Sequence, residues 1–415
     1  MYLTLRDRPA AEPGTAHRAR QRVAGTVLLL GLVSLLTDVS SESVNSVLPI
    51  YLTSSLGISI LGYGFLDGVY QGVSALVRIP GGWIADRADH PKWVAVVGYG
   101  VSAVSRVALL PAHTFGAIAS VITVDRLGKG LRTAPRDALI AEASPREAQG
   151  RAFGVHRAMD TAGALAGPLI AYFVLRAVPG GYHSVFVTSL AFAIVGLAIL
   201  VLIVPDLRPR RRATTGAALT RPSLRLLADR RLLRLCGAAG LLGLVTIGDG
   251  FLYLELATRV TIAAYDFPLL LVGTNIAYLL LAIPLGRLAD RVGRVQVFIG
   301  GNVALLGAYL AAGAAVTGAV IACLALLGTY YAATDGVLAA IAGQISDRAV
   351  RTSGIATAQT AVAVARFVSS VGFGALWAIV GPESAIRIAA IALALVLVPA
   401  IFMLRGLMRS DRSIT

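Results

Sequence analysis

A run of 40 residues without one charged side chain, 295–334, is the feature that most constrains how this chain folds. A helix needs about 20 apolar residues to cross the hydrocarbon core of a bilayer. The run therefore predicts two membrane-spanning helices, joined by a turn at the glycines of 313–318. Soluble domains are about 45–50% apolar and about 25% charged, whereas this chain is 56% apolar and 14% charged. A cytosolic enzyme is excluded.

Similar apolar blocks, separated by short turns, recur along the chain and predict an all-α integral membrane protein with twelve transmembrane helices. The expected helices are 23–52, 61–85, 93–111, 114–136, 151–176, 182–204, 235–258, 268–289, 295–315, 318–341, 353–380 and 385–404. They divide the chain into a tail (1–22), a six-helix half (23–204), a basic linker (205–234), a second six-helix half (235–404) and a tail (405–415). The end of the linker, 223–234, is either an amphipathic helix on the inner leaflet or a plain charged spacer.

The net charge of +15 raises the alternative of a nucleic-acid partner. Of the 37 Lys and Arg residues, 27 fall in the tails and connections on the side of the termini, and three fall on the opposite side: Arg176, Arg259 and Arg387. The positive-inside rule then predicts a multi-pass plasma-membrane protein with both termini in the cytoplasm and no nucleic-acid partner. The two cysteines lie inside predicted helices, so neither a disulfide framework, a metal site nor a cofactor is expected.

An internal repeat links the two halves. Residues 79–87 (IPGGWIADR) recur as 283–291 (IPLGRLADR), with six of nine positions identical, at the same end of the second helix of each half. Glycine lets helices approach closely, and the acid and base pair across a seam. We therefore expect a cytoplasmic gate at Gly82, Asp86, Arg87, Gly286, Asp290, Arg291, Gly293 and Arg294.

These residues resemble the signature Gly-x-x-x-Asp-Arg-x-Gly-Arg of the major facilitator superfamily. The second copy matches throughout, whereas the first has Asp89 and His90 where Gly and Arg are usual. Arg126 and Gly130 match a second motif of the family, with Lys129 where a neutral residue is usual. The resemblance implies two pseudo-symmetric six-helix halves and a secondary transporter that works by alternating access.

A third motif resembles the antiporter signature of proton-linked exporters in this family. It comprises Gly163, Gly167 and Pro168 in the fifth helix, with Ala171 and Tyr172 in place of the final glycines. The resemblance implies proton-coupled export. Read without the family, the same residues indicate close helix packing with a kink.

Ionisable residues inside membrane helices are costly and are therefore candidates for function. In the first helix, one polar face carries Ser34, Asp38, Ser41, Glu42 and Asn45. Asp38 and Glu42 lie one turn apart, and their mutual repulsion favours the uptake of a proton. The family resemblance places this helix beside the fourth, which makes Arg126 the expected partner of Asp38, either as a proton switch or as a permanent ion pair.

In the fifth helix, His156 and Asp160 share a face and form either a second proton site or part of a gate. The predicted substrate cavity draws on both halves: Ser41, Asn45, Asp249, Tyr253, Asn275, Tyr278, Tyr331, Gln359 and Arg366. Arg366 either binds an anionic group of the substrate or pairs with Asp249. Asp335, near the cytoplasmic end of its helix, is expected in the gate. Acids and bases inside the helices nearly balance, so an interior of mixed sign is expected.

The leading hypothesis is a proton-coupled exporter of a small molecule, a drug or a metabolite, that acts as a monomer in the bilayer. One alternative is uptake of an organic anion or a metal chelate, since several bases lie within the spans. A second is a membrane sensor that transports nothing. No Gly-x-x-x-x-Gly-Lys-Ser/Thr motif occurs and no catalytic constellation is evident, so the sequence predicts neither an ATPase nor an enzyme.

Overall fold

The computed structural model describes residues 25–87, 90–145, 148–207, 229–314, 316–346 and 351–411. Side chains are described there except at 74–75, 78–87, 317, 351–352 and 408–411. The predicted tail at 1–22 and most of the linker lie outside the described residues. So do the side chains of the first gate copy, at Gly82, Asp86 and Arg87.

The described residues are helical throughout, without a β-strand. The helices are α1 (Gly25–Ile50), α2 (Ile60–Arg87), α3 (Pro91–Leu109), α4 (Phe115–Glu142), α5 (Gln149–Ala177), α6 (Tyr182–Leu202), α7 (Arg230–Leu244), α8 (Asp249–Arg259), α9 (Pro268–Val292), α10 (Arg294–Ala312), α11 (Thr317–Ile345), α12 (Arg351–Val380) and α13 (Pro382–Asp411). Since α7 and α8 together occupy the seventh predicted span, the prediction of twelve transmembrane helices is confirmed.

The outer surface of the helices is apolar. Nine helical segments in the described ranges are long and apolar enough to cross a membrane. Large side chains such as Leu202 and Ile379 remain 80% exposed, as suits contact with lipid. The fourth span is not among the nine, because α4 carries seven charged residues. A helix with so many charges must turn them toward protein.

The helices pack as two halves, α1–α6 and α7–α13. Within the first half α1 packs on α5 and α6, and α4 packs on α2 and α3; in the second, α11 packs on α9 and α10, and α7 packs on α12 and α13. The halves meet where α2 runs along α12 and α5 along α9. We call the side on which α1 begins and α13 ends the terminal side, and the opposite side the distal side.

The halves are in close contact on the distal side. Near the distal end of α2, an added Cβ at Gly64 would lie 2.5 Å from the Ser370 carbonyl oxygen and 3.2 Å from the Cα of Gly374, both on α12. Beside this contact the ring of Phe251 packs edge-on against Tyr63 of the first half, with centroids 4.8 Å apart. Only glycine allows backbones to approach so closely. We refer to this contact as the distal seam.

The seventh span is broken, which corrects the continuous helix expected over 235–258. Between α7 and α8 the chain leaves the helical path, and the Tyr309 hydroxyl accepts from Ile247 N at 2.8 Å and donates to the Val245 carbonyl at 3.1 Å. Ser369 donates to the Thr246 carbonyl at 2.8 Å. Backbone groups freed inside a membrane need such partners. The break makes Asp249 the first residue of α8, where the helix dipole favours a negative charge.

The glycine motif of the fifth span packs α5 onto α1 within the first half. A Cβ at Gly163 would overlap the Leu35 carbonyl, and one at Gly167 would lie 2.8 Å from Ser43 N and from the Val39 carbonyl. Ser43 Oγ donates to the Val39 carbonyl at 2.7 Å and to the Gly167 carbonyl at 2.9 Å. The motif thus holds α1, with its two carboxylates, firmly against α5.

Candidate transport cavity

A cavity of about 410 Å³ lies between the halves, at mid-depth and toward the terminal side. Helices α1 and α5 line it from the first half, and α8, α9 and α11 line it from the second. The lining residues in the described part of the chain are Asp38, Glu42, Arg157, Asp160, Thr161, Ala164, Asp249, Asn275, Tyr278, Tyr331 and Asp335. The volume falls in the range of small-molecule binding pockets.

The ionisable residues that line this cavity are mostly acidic. Five of its described lining residues carry carboxylates, namely Asp38, Glu42, Asp160, Asp249 and Asp335, whereas Arg157 is the one base among them. The mixed-sign interior expected from the sequence therefore does not describe the cavity. Acids face the cavity, and most of the bases inside the helices lie behind its wall or in separate contacts.

Arg126 is one of the bases that lie outside the cavity lining. Its guanidinium pairs with the carboxylate of its neighbour Asp125 and lies 3.9 Å over the ring of Tyr70. Asp125 also accepts an ion pair from Arg106 at 3.2 Å, and all three charged side chains are buried. The prediction that Arg126 pairs with Asp38 is therefore wrong. The nearer carboxylate on its own helix neutralises Arg126.

A row of bases on α4 faces α1 from behind the cavity wall. Arg136 Nη1 donates to Ser34 Oγ at 3.0 Å, which fixes how α4 and α1 lie against each other. Further along α4, Lys129 lies within electrostatic range of Asp38. Arg132 lies 4.5 Å over the ring of Tyr99. A base near Asp38 is thus Lys129, the residue at which the sequence departs from its family motif.

The His156–Asp160 pair lies at the edge of the cavity. His156 Nε2 is 3.6 Å from Asp160 Oδ1, and Arg136 Nη1 is 3.9 Å from Asp160 Oδ2. Asp160 lines the cavity, while His156 is buried behind it, and neither ring nitrogen has a hydrogen-bond partner among the described residues. A histidine held in this way can exchange a proton with Asp160 after a small movement.

In the second half, tyrosine hydroxyls separate Asp249 from Arg366. Tyr331 donates to Asp249 Oδ1 at 2.7 Å, and Arg366 Nη2 donates to Tyr330 Oη at 2.7 Å. Arg366 lines a small neighbouring cavity and not the central one. Arg366 therefore does not pair with Asp249. It also does not line the central cavity, where it was expected to bind an anionic group of the substrate.

Besides Arg366, four predicted cavity residues lie elsewhere. Ser41 and Asn45 line a narrow pocket beside Arg106, where Ser41 Oγ accepts from Arg106 Nη2 at 3.2 Å and Asn45 donates to Glu42 at 3.0 Å. Tyr253 is buried and donates to Thr274 Oγ1 at 2.8 Å. Gln359 is half-buried on α12 and is not among the described lining residues. Each lies on a helix of the bundle, but none is among the described residues that line the central cavity.

The second gate copy forms a tight turn at the terminal side. Gly293 alone connects α9 to α10 with a φ of 110°, a conformation that favours glycine. Arg294 lies 3.3 Å from Asp290 of the same copy. Gly286 and Arg291 lie on the last turns of α9. The motif therefore fixes the junction of α9 and α10 within its own half.

Sequence reasoning did not assign Arg157 and Asp335 to the cavity. The expectation that Asp335 belongs to the gate is wrong, because Asp335 lines the cavity. Asp335 interrupts the apolar stretch of α11 one turn after Tyr331, which lines the cavity as well. That spacing is the signal by which it could have been found. Arg157 adjoins His156 but projects from another side of α5, so only the packing of α5 against α9 reveals its position.

Two halves of membrane-spanning helices around a charged central cavity are the architecture of a membrane transporter whose binding site lies between the halves. The comparisons with known proteins agree. The sequence profile of the Major Facilitator Superfamily matches residues 30–273. The chain belongs to this superfamily and is a multi-pass membrane protein.

Among relatives, the chain is 27% identical over 374 residues to an uncharacterized MFS-type transporter of Methanocaldococcus jannaschii, which covers 88% of this chain and 91% of the relative. It resembles the crystal structure of the nucleoside transporter NupG with a TM-score of 0.77 and 14% identity, over 91% of this chain and 99% of that one. A POT family transporter in complex with 5-aminolevulinic acid gives a TM-score of 0.75 at 14% identity, over 91% and 96% of the two chains. At these identities the structural likenesses support the fold alone.

Proposed function

We propose that this transporter exports small organic cations in exchange for protons. The observation that carries the proposal is the acidic lining of the central cavity, with five carboxylates against one arginine. Carboxylates around one cavity repel one another, so the empty cavity favours positive charge. A cationic substrate and protons meet this requirement equally, and their competition for the same acids couples one flux to the other.

Asp38 and Glu42 are the proposed sites of competition. Both line the cavity, and the glycine motif holds their helix against α5. Lys129 behind the wall offsets part of the charge on Asp38. A proton on either carboxylate weakens the attraction for the cation, which is then released to the distal side.

The topology supports the proposed direction. The halves are packed together at the distal seam, and the cavity lies on the terminal side of that seam. If the basic side is cytoplasmic, as the distribution of Lys and Arg predicts, the cavity faces the cytoplasm and accepts substrate from there. Both termini then lie in the cytoplasm, and a cavity that faces that side can load substrate for export.

The two alternatives have less support. Uptake of an organic anion or a metal chelate was suggested by bases within the spans, but Arg126, Lys129 and Arg366 are not among the described cavity residues. A sensor without transport has no need of a wet cavity lined by titratable acids.

The test uses purified protein in liposomes that contain a pH-sensitive dye. We expect external ethidium, a cation, to drive proton movement in the opposite direction, and p-aminohippurate, an anion, to drive none. Asp38→Asn and Glu42→Gln should each reduce the ethidium-linked proton flux about a hundredfold, while Asp266→Asn, in the connection between α8 and α9, should leave it unchanged. Proton movement with the anion alone, or undiminished flux in both carboxylate variants, would contradict the proposal.

A further inference from the structure

A second, much smaller cavity adjoins the central one in the interface between the halves. Its volume is about 10 Å³, enough for about one water molecule. Its lining includes Gln71 from α2, Gly248 from the break in the seventh span, Tyr331 from α11, and Arg366 and Ser370 from α12. Arg366 Nε is buried and has no hydrogen-bond partner among the described residues. A polar pocket of this size with an unpaired donor suits one ordered water.

Asp67 lies beside this pocket, in the distal seam. Ser370 Oγ donates to Asp67 Oδ2 at 2.6 Å, and this bond joins the two halves, since Asp67 is on α2 and Ser370 on α12. An added Cβ at Gly248 would overlap the Asp67 carboxylate, so the backbone of the break directly contacts it. When the seam opens during alternating access, these contacts separate and the carboxylate meets water on the distal side.

Tyr331 connects the two cavities. Its side chain lines both of them, and its hydroxyl donates to Asp249 Oδ1 at 2.7 Å. Asp249 in turn lines the central cavity. The order from the distal seam inward is therefore Asp67, the small pocket, Tyr331 and Asp249.

We infer that Asp67 is a second proton-binding residue, loaded from the distal side, and that its proton reaches Asp249 through the small pocket and the Tyr331 hydroxyl. This inference rests on the proposed proton coupling. Asp67 gives its proton to a water in the pocket, and that water gives one to the Tyr331 oxygen. The original hydroxyl proton of Tyr331 passes to Asp249 Oδ1. Asp67 ends as a carboxylate, Asp249 as a carboxylic acid, and Tyr331 and the water are unchanged.

The charged and titratable groups around Asp67 suit this transfer. Arg366 from α12 attracts its carboxylate, and Gln71, one turn along α2, lies close to it. Tyr63 on α2 and Asp249 on α8 are the other titratable groups close to Asp67, and they also interact with each other. Arg366 thus competes with the proton for Asp67, and Asp249, which pairs with Tyr331 and not directly with Arg366, receives it.

The test compares Asp67→Asn and Tyr331→Phe with Tyr253→Phe, which also loses one buried hydroxyl hydrogen bond but lines neither cavity. Each is assayed in liposomes for ethidium-linked proton flux and for exchange of internal against external ethidium, which needs no net proton movement. We expect Asp67→Asn to lose at least about tenfold in proton flux and to keep exchange, Tyr331→Phe to lose proton flux by a similar factor, and Tyr253→Phe to keep both. Full proton flux in either Asp67→Asn or Tyr331→Phe would overturn the inference.

A second measurement uses the unsubstituted protein. Dicyclohexylcarbodiimide modifies protonated carboxyls in membranes, and we expect mass spectrometry to find it on Asp67 at acidic pH. Absence of label on Asp67, with label on Asp249 or Asp38, would overturn the inference and leave the proposed function standing. Absence of any ethidium-linked proton flux in the unsubstituted protein would instead remove the proposed function itself.

Discussion

At the scale of single residues, partners decide whether a charge inside the helices serves stability or transport. Asp125 lies between Arg106 and Arg126, and the side chains of the three are almost fully buried. Asp38 and Glu42 have one open side that faces the cavity. A buried acid therefore holds helices together in the first case, whereas the acids face the cavity in the second.

Replacement of Asp125 by Asn should destabilise the protein severely. Two buried guanidinium groups would lose their counter-charge, a change that costs about 3–5 kcal/mol for a broken buried pair. Thermal unfolding in detergent, followed by loss of the monomer peak in size-exclusion chromatography, measures the effect.

Asp137→Asn is the matched control on the same helix. Asp137 pairs with Arg136 at 3.0 Å, but its side chain is 43% exposed, so the loss should stay below about 1 kcal/mol. Equal melting temperatures for the two variants would contradict the assignment of Asp125 as the buried counter-ion.

At the scale of helices, small residues set the distance between neighbours. The α1–α5 contact depends on Gly163 and Gly167, where any side chain would meet the backbone of α1. The same principle acts between the halves at Gly64 and Gly374. The glycine motif of α5 is therefore a packing device in this structure, and it fixes the position of α1 with Asp38 and Glu42.

Gly167→Ala should push α5 away from α1. The new Cβ would lie 2.8 Å from backbone atoms that cannot move independently, and overpacking of this kind costs about 1–3 kcal/mol. Gly154→Ala, on the same helix, has open space at its Cβ and should be neutral or slightly stabilising. Melting temperatures of the two variants in detergent test the difference, and equal values would count against the packing role.

At the scale of the whole molecule, the distal seam closes one face of the central cavity. The aromatic contact of Tyr63 with Phe251 and the glycine contacts of α2 with α12 all lie on the distal side of the carboxylates. A transporter in this conformation exposes its binding site to one compartment only.

Thiol labelling can detect this asymmetry. In a background of Cys236→Ser and Cys323→Ala, Thr161→Cys in the cavity wall should react with a membrane-impermeant maleimide added from the terminal side and far less from the distal side. His113→Cys, in the exposed connection between α3 and α4, should react only from the distal side and so reports vesicle orientation. Equal labelling of Thr161→Cys from both sides would contradict a closed distal seam.

Much of the fold could be predicted from the sequence. The twelve spans follow from the length of apolar segments, because the bilayer imposes that length on every helix that crosses it. The break between α7 and α8 could not be predicted, since its unpaired backbone groups are satisfied by Tyr309, more than 60 residues away. A hydropathy profile reports the composition of the segment and carries no information about its distant partner, Tyr309.

For the candidate site, the sequence by itself determined that Asp38 and Glu42 share a face of the first span and that Asp249 and Tyr331 lie at mid-depth in the second half. Tertiary structure alone decided which charges face the cavity. Arg126 is neutralised by Asp125, Arg366 is held by Tyr330, and Arg157 and Asp335 join the lining. The physical reason is that helix periodicity fixes which residues share a face, whereas charge neutralisation depends on distances between helices that only packing sets.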